Sequence, residues 1–372
     1  MKLVLIGPVY PFRGGIAHYT TVLRSELAAR GHNVLLISFK RQYPQWLFPG
    51  KTDRDPSAKA LDARGARYII DLLNPLTWLE ANRAIQAFAP QRVVLQWWQA
   101  VWAPAWLTIG AAQRRTRRPV TIICHNVLPH ERRFWDAPLA RAVLGLADRA
   151  LVQSASERDD LLALLPGKAV DIVPHPLYDM LAGVPVDKVD ARRRLGLDPH
   201  GPVLLFFGFV REYKGLRYLI DALPEVLRRF PDTQLVVAGE FWDDRRRYEE
   251  QIEACGLSDH VVLEDRYIPN EETPYFFAAA DLVTLPYVTA TQSGVLQLAL
   301  GFARPVLSTR VGGLPEAIEE GGDARLVEPA NARALAEGII AFLSAPPAPR
   351  GRSRELSKER WETLVDAITR DA

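Results

Sequence analysis

Two cations in a short turn are the first candidates for chemistry. Arg211 and Lys214 lie in "FFGFVREYKGLRYLIDAL", where an apolar run ends at Gly208, and a helical pattern begins after Gly215. Cations beside a helix N-terminus bind phosphate and can stabilise the charge that develops on a leaving diphosphate. A solvated surface turn is the alternative interpretation. The strand and the two glycines around the pair favour the phosphate site.

A second candidate site is the stretch "TATQSGVLQLALGFARPVLSTRVGGLPE". The residues Ser293, Gly294 and Val295 begin an apolar helical segment, so their backbone N–H groups can bind a phosphate. No Asp or Glu occurs in residues 289–306. Side-chain contacts to a ligand near this helix start must therefore come from uncharged residues such as Gln297, Gln292 or Thr291.

Two further candidates lie nearer the N-terminus. Gly14 and Gly15 in "GPVYPFRGGIAHYT" precede a helical pattern, so their backbone can approach a ligand closely, although a tight turn explains the pair equally well. His125 follows a buried strand in "TIICHNVLPHE", where a histidine can hydrogen-bond a ligand or transfer a proton. The other histidines considered, which are interpreted as packing or loop residues, are His18, His130 and His175.

These residues are expected at the ends of strands in two parallel sheets. Short apolar runs alternate with helical patterns along the whole chain, which is typical of doubly wound α/β domains. The first-half runs are "KLVLIG", "HNVLLISF", "RVVLQWW", "VTIICHN", "RALVQS" and "AVDIVPH"; the second-half runs are "PVLLFFGF", "QLVVAGE", "HVVLED", "ADLVTLPY", "RPVLSTR" and "ARLVEP". Ligands of such domains bind at the carboxyl ends of the strands.

Length and composition agree with two soluble domains. The chain has 372 residues, 48% hydrophobic and 24% charged, and the two series of runs join near residue 175. "MKLVLIGPVYP" is interpreted as a first strand rather than a signal segment, and no apolar run approaches the roughly 20 residues of a membrane span. The distant cysteines Cys124 and Cys255 indicate a reducing, cytoplasmic setting.

Charge divides unevenly between the two halves. Residues 1–175 hold 23 Lys and Arg against 13 Asp and Glu, a net +10, whereas the remainder has a net −8. Trp46, "QWWQAVWAPAWL" and the arginines of "AAQRRTRR" make the first half both aromatic and basic. Arginines with aromatic residues suit an anionic membrane surface or a lipid-phosphate acceptor, although core packing is expected for half of the tryptophans. Nucleic acid is not expected, because no binding motif accompanies the charge.

In this combination and order, the motifs resemble family 4 of the retaining, nucleotide-sugar-dependent glycosyltransferases with the GT-B fold. The resemblance covers essentially the whole chain and also includes "DRYIPNEETPYFFAAADLVTLPY". It implies two Rossmann-like domains facing a cleft: an acceptor-side domain in residues 1–175 and a donor domain in residues 176–345. Residues 346–372 would form a helix that crosses back to the first domain.

The resemblance also implies roles for individual residues. Gly14 and Gly15 would lie beside the donor, His125 would face the transferred sugar, and Arg211 and Lys214 would bind the diphosphate. Base contacts would come from Tyr267 and Ile268, and phosphate contacts from the residues Ser293, Gly294 and Val295.

The chain departs from the family pattern at several positions. Phe209 stands where an arginine usually follows the glycine, and Arg211 comes two positions later. The first of two usual glutamates has no counterpart, and Gln297 best matches the second, with Gln292 or Thr291 left for sugar contacts. Glu316 is expected to shape the loop beneath the site.

Asp53 and Asp55 in "TDRDPS" have the D-x-D spacing of metal-dependent glycosyltransferases, which have a different fold. A charged loop is the preferred interpretation. No metal or cofactor is therefore expected besides the nucleotide sugar as co-substrate, and the two cations would neutralise the diphosphate instead.

The sequence thus predicts a metal-independent retaining glycosyltransferase that transfers a sugar to a glycan, glycolipid or lipid-linked hydroxyl, in the cytoplasm or peripherally on the inner face of the cell membrane. One alternative is another enzyme of the same fold, a nucleotide-sugar epimerase or a sugar phosphorylase. The other is a non-catalytic carbohydrate-binding or scaffold relative, suggested by the missing glutamates.

Overall fold

The protein is described by a computed structural model that covers residues 1–44, 46, 48, 50–58, 61–129, 133–183, 185–320, 324–347 and 353–370. The chain forms two compact units. The first unit comprises residues 1–55, 60–175 and 359–372, and the second comprises residues 56–59 and 176–358. Each unit therefore contains a segment that is remote in sequence from the rest of it.

The described strands belong to two sheets, one in each unit, and every strand pairing within them is parallel. The first sheet contains β1 Lys2–Ile6, β2 Asn33–Arg41, β3 Arg67–Asp71, β4 Arg92–Trp97, β5 Val120–Cys124, β6 Arg149–Val152 and β7 Val170–Ile172. The second contains β8 Val203–Phe207, β9 Gln234–Ala238, β10 Val261–Glu264, β11 Leu282–Leu285, β12 Val306–Thr309 and β13 Ala324–Val327.

Helices connect the strands and cover the sheets. They are α1 Gly15–Ala29, α2 Pro75–Phe88, α3 Ala103–Arg115, α4 Asp136–Leu146, α5 Ala155–Leu164, α6 Lys188–Arg194, α7 Leu216–Arg229, α8 Arg245–Ala254, α9 Thr273–Ala279, α10 Gly294–Gly301, α11 Leu314–Glu320, α12 Ala332–Ser344 and α13 Ser353–Thr369. Several begin at polar caps; the side chains of Ser154 and Ser293, for example, accept backbone N–H groups of α5 and α10.

The strand order fixes where a ligand can bind in each unit. The first sheet runs β3-β2-β1-β4-β5-β6-β7 and the second runs β10-β9-β8-β11-β12-β13. The order reverses between β1 and β4 in one sheet and between β8 and β11 in the other. At such a reversal the loops that follow the two central strands diverge and leave a crevice at the carboxyl edge of the sheet.

The predicted fold class is confirmed: both units are doubly wound parallel sheets, and all twelve predicted runs correspond to strands. β3 was not predicted from the sequence; it is an edge strand whose first two residues, Arg67 and Tyr68, are exposed. The segment "ELSKERWETLVDAITR" is helical, and its residues from Glu359 onward belong to the first unit. Trp361 of this helix packs on Tyr19, with ring centroids 5.5 Å apart.

Within the described ranges, no helix is both long and apolar enough to cross a membrane.

Candidate functional site

In the second unit, the loop after β8 carries both predicted cations. The strand is buried throughout and ends at Phe207, and Gly208 follows it with a φ of +89°, a conformation that other residues rarely adopt. The chain then forms a single 3-10 turn, Glu212–Lys214, in which the Lys214 backbone N–H donates to the Arg211 carbonyl at 2.9 Å. This turn holds Arg211 and Lys214 at the carboxyl edge of the sheet.

The loop after β11 reaches the same edge and ends at the start of α10. The Ser293 Oγ accepts the Leu296 N–H at 3.2 Å and also lies 3.2 Å from the Tyr287 hydroxyl. The first two helical residues, Gly294 and Val295, are only half-buried. The first N–H groups of a helix lack acceptors within that helix, so this turn can bind an anion through its backbone.

Lys214 and the start of α10 meet beside Gly208. A Cβ at position 208 would lie 3.2 Å from the Lys214 Nζ and 3.1 Å from the Val295 Cγ2. The ammonium and the first turn of α10 are therefore neighbours, separated only by a residue without a side chain. A cation and unsatisfied N–H groups thus converge at the point where the strand order reverses, which is the arrangement that binds a phosphate.

The charge of Lys214 depends on what binds there. The side chain is buried, with 7% exposure, and its Nζ lies 5.7 Å from the centre of the Tyr287 ring. Burial, and then the nearby charge of Arg211, lower the pKa of Lys214 to about 7. Among the described residues, no carboxylate forms an ion pair with Lys214. A bound anion would supply the missing negative charge and favour the protonated amine.

Arg211 lies against an aromatic cluster that the sequence analysis did not identify. Its guanidinium carbon is 5.7 Å from the Trp242 ring centre, and Phe209 stacks on the same tryptophan with centroids 4.3 Å apart. Phe209 and Arg211 therefore pack on the same tryptophan, and Arg211 is the nearest cation after Phe209 in the sequence. The predicted base-contact residue Tyr267 is also close, 6.4 Å from Phe209 between ring centroids.

The remaining donor candidates of the second unit differ in accessibility. Ile268 follows Tyr267 in the loop after β10 and is 6% exposed. Thr291 and Gln292 are half-buried in the turn before α10, whereas Gln297 is fully buried in the body of that helix. Glu316 is half-buried in the first turn of α11, next to Gly313, whose N–H donates to the Thr291 carbonyl at 3.0 Å.

In the first unit, Gly14 and Gly15 lie where the loop after β1 meets α1. β1 is one of the two strands at which the strand order reverses. Gly14 is the N-cap residue of α1 with φ 105° and ψ 167°, and a Cβ there would have no heavy atom within 4 Å. The position therefore requires glycine for its backbone conformation rather than for lack of space. Gly15 is the first residue of the helix.

His125 lies directly after β5 and is held from several directions. Its backbone N–H donates to the Trp97 carbonyl at 2.8 Å, and its ring meets Tyr19 edge to face with centroids 4.8 Å apart. The Nε2 atom lies 2.7 Å from the Gln96 Oε1. Burial, and then the proximity of His175, lower the pKa of His125 to about 3. The ring is therefore neutral at physiological pH and does not act as a cation there.

The other histidines considered and the D-x-D motif have contacts of their own in the first unit. Asp55 is buried and lies 3.7 Å from the His18 Nε2, and His175 packs on Tyr19 with centroids 5.4 Å apart. His130 lies outside the described residues. In the part of the chain that the structure covers, no group of three or more His, Cys, Asp or Glu could hold a metal ion.

The aromatic and basic groups of the first unit separate in the structure. The residues Trp97, Trp98, Trp102 and Trp106 are all buried, so more of the tryptophans belong to the core than expected, while Trp46 is 79% exposed. The arginines of "AAQRRTRR" lie where α3 ends and β5 begins, at the amino edge of the sheet. At the carboxyl edge, the exposed residues are instead Trp46 after β2, Leu76 in the first turn of α2 after β3, and Phe134 after β5.

Comparisons with known proteins cover most of the chain. Residues 14–177 match a family model described as "Glycosyl transferase 4-like domain", and residues 201–345 match one described as "Glycosyl transferases group 1". Over 373 residues the chain is 28% identical to the GDP-mannose-dependent alpha-(1-6)-phosphatidylinositol monomannoside mannosyltransferase of Mycolicibacterium smegmatis, a match that covers 95% of this chain and 93% of that protein.

Two further similarities agree with these. The chain is 32% identical over 274 residues to D-inositol 3-phosphate glycosyltransferase 1 of Catenulispora acidiphila, covering 67% of this chain and 65% of the relative. The crystal structure of Anabaena HepE in complex with UDP-glucose aligns over 99% of this chain and 95% of that one, with a TM-score of 0.68 and 17% identity.

Proposed function

Because the chain belongs to the family 4 glycosyltransferases with the GT-B fold, we propose that it is a retaining, metal-independent hexosyltransferase. It transfers a sugar from a nucleotide diphosphate donor to a hydroxyl of a glycan, glycolipid or lipid-linked acceptor. Residues 176–345 would bind the donor and residues 1–175 the acceptor, with residues 346–372 completing the first domain.

One observation carries the donor site: the Lys214 Nζ and the Val295 Cγ2, in the first turn of α10, would both lie within 3.2 Å of a Cβ on Gly208. The diphosphate would accept hydrogen bonds from the backbone N–H groups of Ser293, Gly294 and Val295 and from Lys214. Relatives support an anionic donor, since one is named for GDP-mannose and another was solved with UDP-glucose.

Lys214 and Arg211 would stabilise the leaving group. As the bond between the sugar and the diphosphate breaks, negative charge builds on the departing phosphate oxygen. A fixed cation that is shielded from water stabilises this charge more than an exposed one, because the local dielectric is low. The leaving phosphate can itself accept the proton of the acceptor hydroxyl, so no separate carboxylate base is required.

The rest of the donor would be bound by residues near these cations. Tyr267 and Ile268 would contact the base; in the first unit, Gly14 and Gly15 would leave their backbone open to a ligand. Thr291 and Gln292, before α10, would contact the ribose and the sugar, and Gln297 and Glu316 would support the loop. Gln297 is fully buried, so a direct contact by its side chain would require movement.

A membrane-bound acceptor is proposed from the exposed apolar residues at the carboxyl edge of the first sheet. Phe134, in the loop before α4, is 88% exposed, and Leu76, in the first turn of α2, is 72% exposed; both follow strands that end at the edge that also carries His125. Together with the net charge of +10 in residues 1–175, they suit peripheral binding at the inner, anionic face of the cell membrane. Relatives named for inositol phosphate and phosphatidylinositol mannoside support a polyol or glycolipid acceptor.

Donor binding and turnover test the enzymatic proposal. Calorimetry with UDP, GDP and ADP sugars should identify one donor, and NMR of the product should show an anomeric centre of unchanged configuration. Lys214→Ala should abolish transfer with an unchanged unfolding temperature, whereas the exposed Lys358→Ala should retain transfer.

The rival functions give different products. Epimerised donor without transfer would indicate an epimerase, and sugar phosphate formed with inorganic phosphate would indicate a phosphorylase. Binding of no nucleotide sugar would favour a non-catalytic carbohydrate-binding protein and would contradict the proposal.

Sedimentation with liposomes that contain anionic lipid tests the membrane surface. A Phe134→Ser, Trp135→Ser variant should remain in the supernatant. The matched Arg114→Ser, Arg115→Ser variant, which alters exposed residues at the amino edge, should sediment much as the unmodified protein does. The opposite result would assign membrane binding to the arginine cluster.

A further inference from the structure

Three buried side chains of the first unit form a continuous chain of hydrogen bonds that ends at His125. The Thr20 hydroxyl donates to the Ile16 carbonyl at 2.7 Å, one turn earlier in α1. The Gln96 Nε2 donates to the Thr20 Oγ1 at 2.7 Å, and the Gln96 Oε1 lies 2.7 Å from the His125 Nε2. Thr20 and Gln96 are fully buried, so water cannot replace either contact.

The direction of each bond follows from the one before it. A threonine hydroxyl has a single proton, and here that proton is donated to the Ile16 carbonyl. The oxygen can then only accept, so the group that faces it must be the NH₂ of Gln96. The amide oxygen of Gln96 consequently faces His125, and an oxygen without a proton requires a donor opposite it. The proton of the neutral imidazole therefore resides on Nε2.

With the proton on Nε2, the free lone pair of the imidazole ring is on Nδ1. Among the described residues, none is a hydrogen-bond partner of Nδ1. Because burial lowers the pKa of His125 to about 3, the ring does not gain a second proton at physiological pH. Nδ1 is thus available as a hydrogen-bond acceptor.

We propose that Gln96, oriented by Thr20, is a positioning residue that holds His125 in the Nε2–H tautomer, so that Nδ1 accepts a hydrogen bond from a hydroxyl of a sugar substrate. The second half of this inference rests on the proposed glycosyl transfer; the tautomer does not. An acceptor at Nδ1 selects a sugar with a hydroxyl at the contacted position. A carboxylate or carbonyl there would place two lone pairs against each other.

The packing around Gln96 keeps its side chain between Thr20 and His125, and the hydrogen bond to Thr20 sets which way the amide faces. A Cβ at Gly7 would lie 2.9 Å from both the Gln96 Nε2 and the Thr20 Oγ1, so residue 7 fits only without a side chain. Gln96 also lies on β4, a strand buried along its whole length, and β4 borders the reversal in strand order. A polar residue at this point of a buried strand must be hydrogen-bonded to be tolerated.

The tautomer can be measured directly in protein labelled with ¹⁵N-histidine. Long-range ¹H–¹⁵N spectra at pH 7 should show His125 with a protonated Nε2 and an unprotonated Nδ1. In Thr20→Val, Gln96 loses its acceptor and can turn over, so the spectra should show the Nδ1–H form in part or in full, and kcat should fall about tenfold.

Thr21→Val is the matched control. Thr21 is also buried, and its hydroxyl donates to the Ala17 carbonyl at 2.7 Å, the same local bond one residue further along α1. This variant should show a similar change in unfolding temperature but should keep the Nε2–H tautomer and kcat. Thr20→Ser, which retains the hydroxyl, should restore the wild-type spectrum.

The outcomes separate the two parts of the inference. A protonated Nδ1 in the wild-type protein, or an unchanged tautomer in Thr20→Val, would overturn the positioning role whether or not the protein transfers sugar. The expected tautomer together with no transfer from any donor would leave the positioning role supported and contradict the proposed function. The expected tautomer with transfer, but with equal kcat in Thr20→Val and wild type, would overturn the link from Nδ1 to the sugar.

Discussion

The Nζ of Lys214 lies 3.2 Å from the position that a Cβ on Gly208 would occupy, and that Cβ would also be 3.1 Å from the Val295 Cγ2. Gly208→Ala should therefore move the ammonium away from the start of α10 and weaken binding of the nucleotide sugar about tenfold, as measured by calorimetry. Gly256→Ala is a matched control, because Gly256 has φ +67° with no heavy atom within 4 Å of a Cβ. It should lose stability but not affinity; equal affinity losses would mean that backbone strain alone is responsible.

Donor binding should be accompanied by proton uptake. Free Lys214 has a pKa of about 7, well below the ordinary value for lysine, so at pH 8 it is mostly neutral. A bound diphosphate raises this pKa, and the enzyme should take up between about 0.5 and 1 proton per nucleotide sugar. Affinity should accordingly fall as the pH rises above 7. Calorimetry in buffers with different ionisation enthalpies measures the uptake.

In Lys214→Met the uptake at pH 8 should disappear. Uptake that persists unchanged in this variant would assign the proton to another group.

Loss of the Ser293 cap should affect both stability and donor binding. Ser293→Ala removes the side-chain acceptor of the Leu296 N–H and should cost about 1 kcal/mol of unfolding free energy. It should also weaken nucleotide binding, because the first turn of α10 is then less well ordered. Ser154→Ala removes an equivalent cap, the acceptor of the Glu157 N–H in α5, and should cost similar stability with unchanged affinity. Equal affinities for both variants would show that the start of α10 does not bind the donor.

The stability of the first unit should depend on pH through His125. Its pKa is about 3 in the folded protein and near 6.5 when unfolded, so between these values the unfolded state binds more protons. The free energy of unfolding should therefore rise with pH from 3 to 6.5, with a slope of up to about 1.4 kcal/mol per unit from this group. Urea unfolding followed by tryptophan fluorescence suits this test, because eight of the nine tryptophans belong to the first unit.

His125→Gln should flatten that slope, whereas His200→Gln, at an exposed position of the second unit, should leave it unchanged. An identical slope in His125→Gln would contradict the buried neutral state of the ring.

The sequence predicted the fold well because buried parallel strands are continuous apolar runs, a pattern visible without any tertiary information. β3 was not predicted because it is an edge strand that begins with two exposed residues. Only Ile69, Ile70 and Asp71 are buried, so the strand contains no long apolar run. For the tryptophans, the sequence suggested more surface positions than the structure has. An aromatic residue beside arginines suggests a surface, but the pattern does not reveal that Trp102 and Trp106 stack on each other in the core.

The positions of His125, Arg211 and Lys214 after buried strands were predictable, because the apolar runs before them mark where each strand ends. Their neighbours were not, because the contacts join residues far apart in sequence: Gln96 is 29 positions from His125 and 76 from Thr20. One signal was present, since Gln96 is the only polar residue inside the apolar run "VVLQWW". The aromatic packing of Phe209 on Trp242 had no such signal.

The division of the chain into two units has a practical consequence for dissecting the protein. A single cut after His175 would yield neither unit whole. A fragment that starts at Pro176 would lose Ser57, whose hydroxyl accepts the Asn270 N–H at 2.8 Å just beyond the loop of Tyr267 and Ile268. A fragment that ends at His175 would lose Trp361 from the face of Tyr19. Exchange of donor domains between relatives therefore has to carry residues 56–58 along with the second half, and the C-terminal helix along with the first.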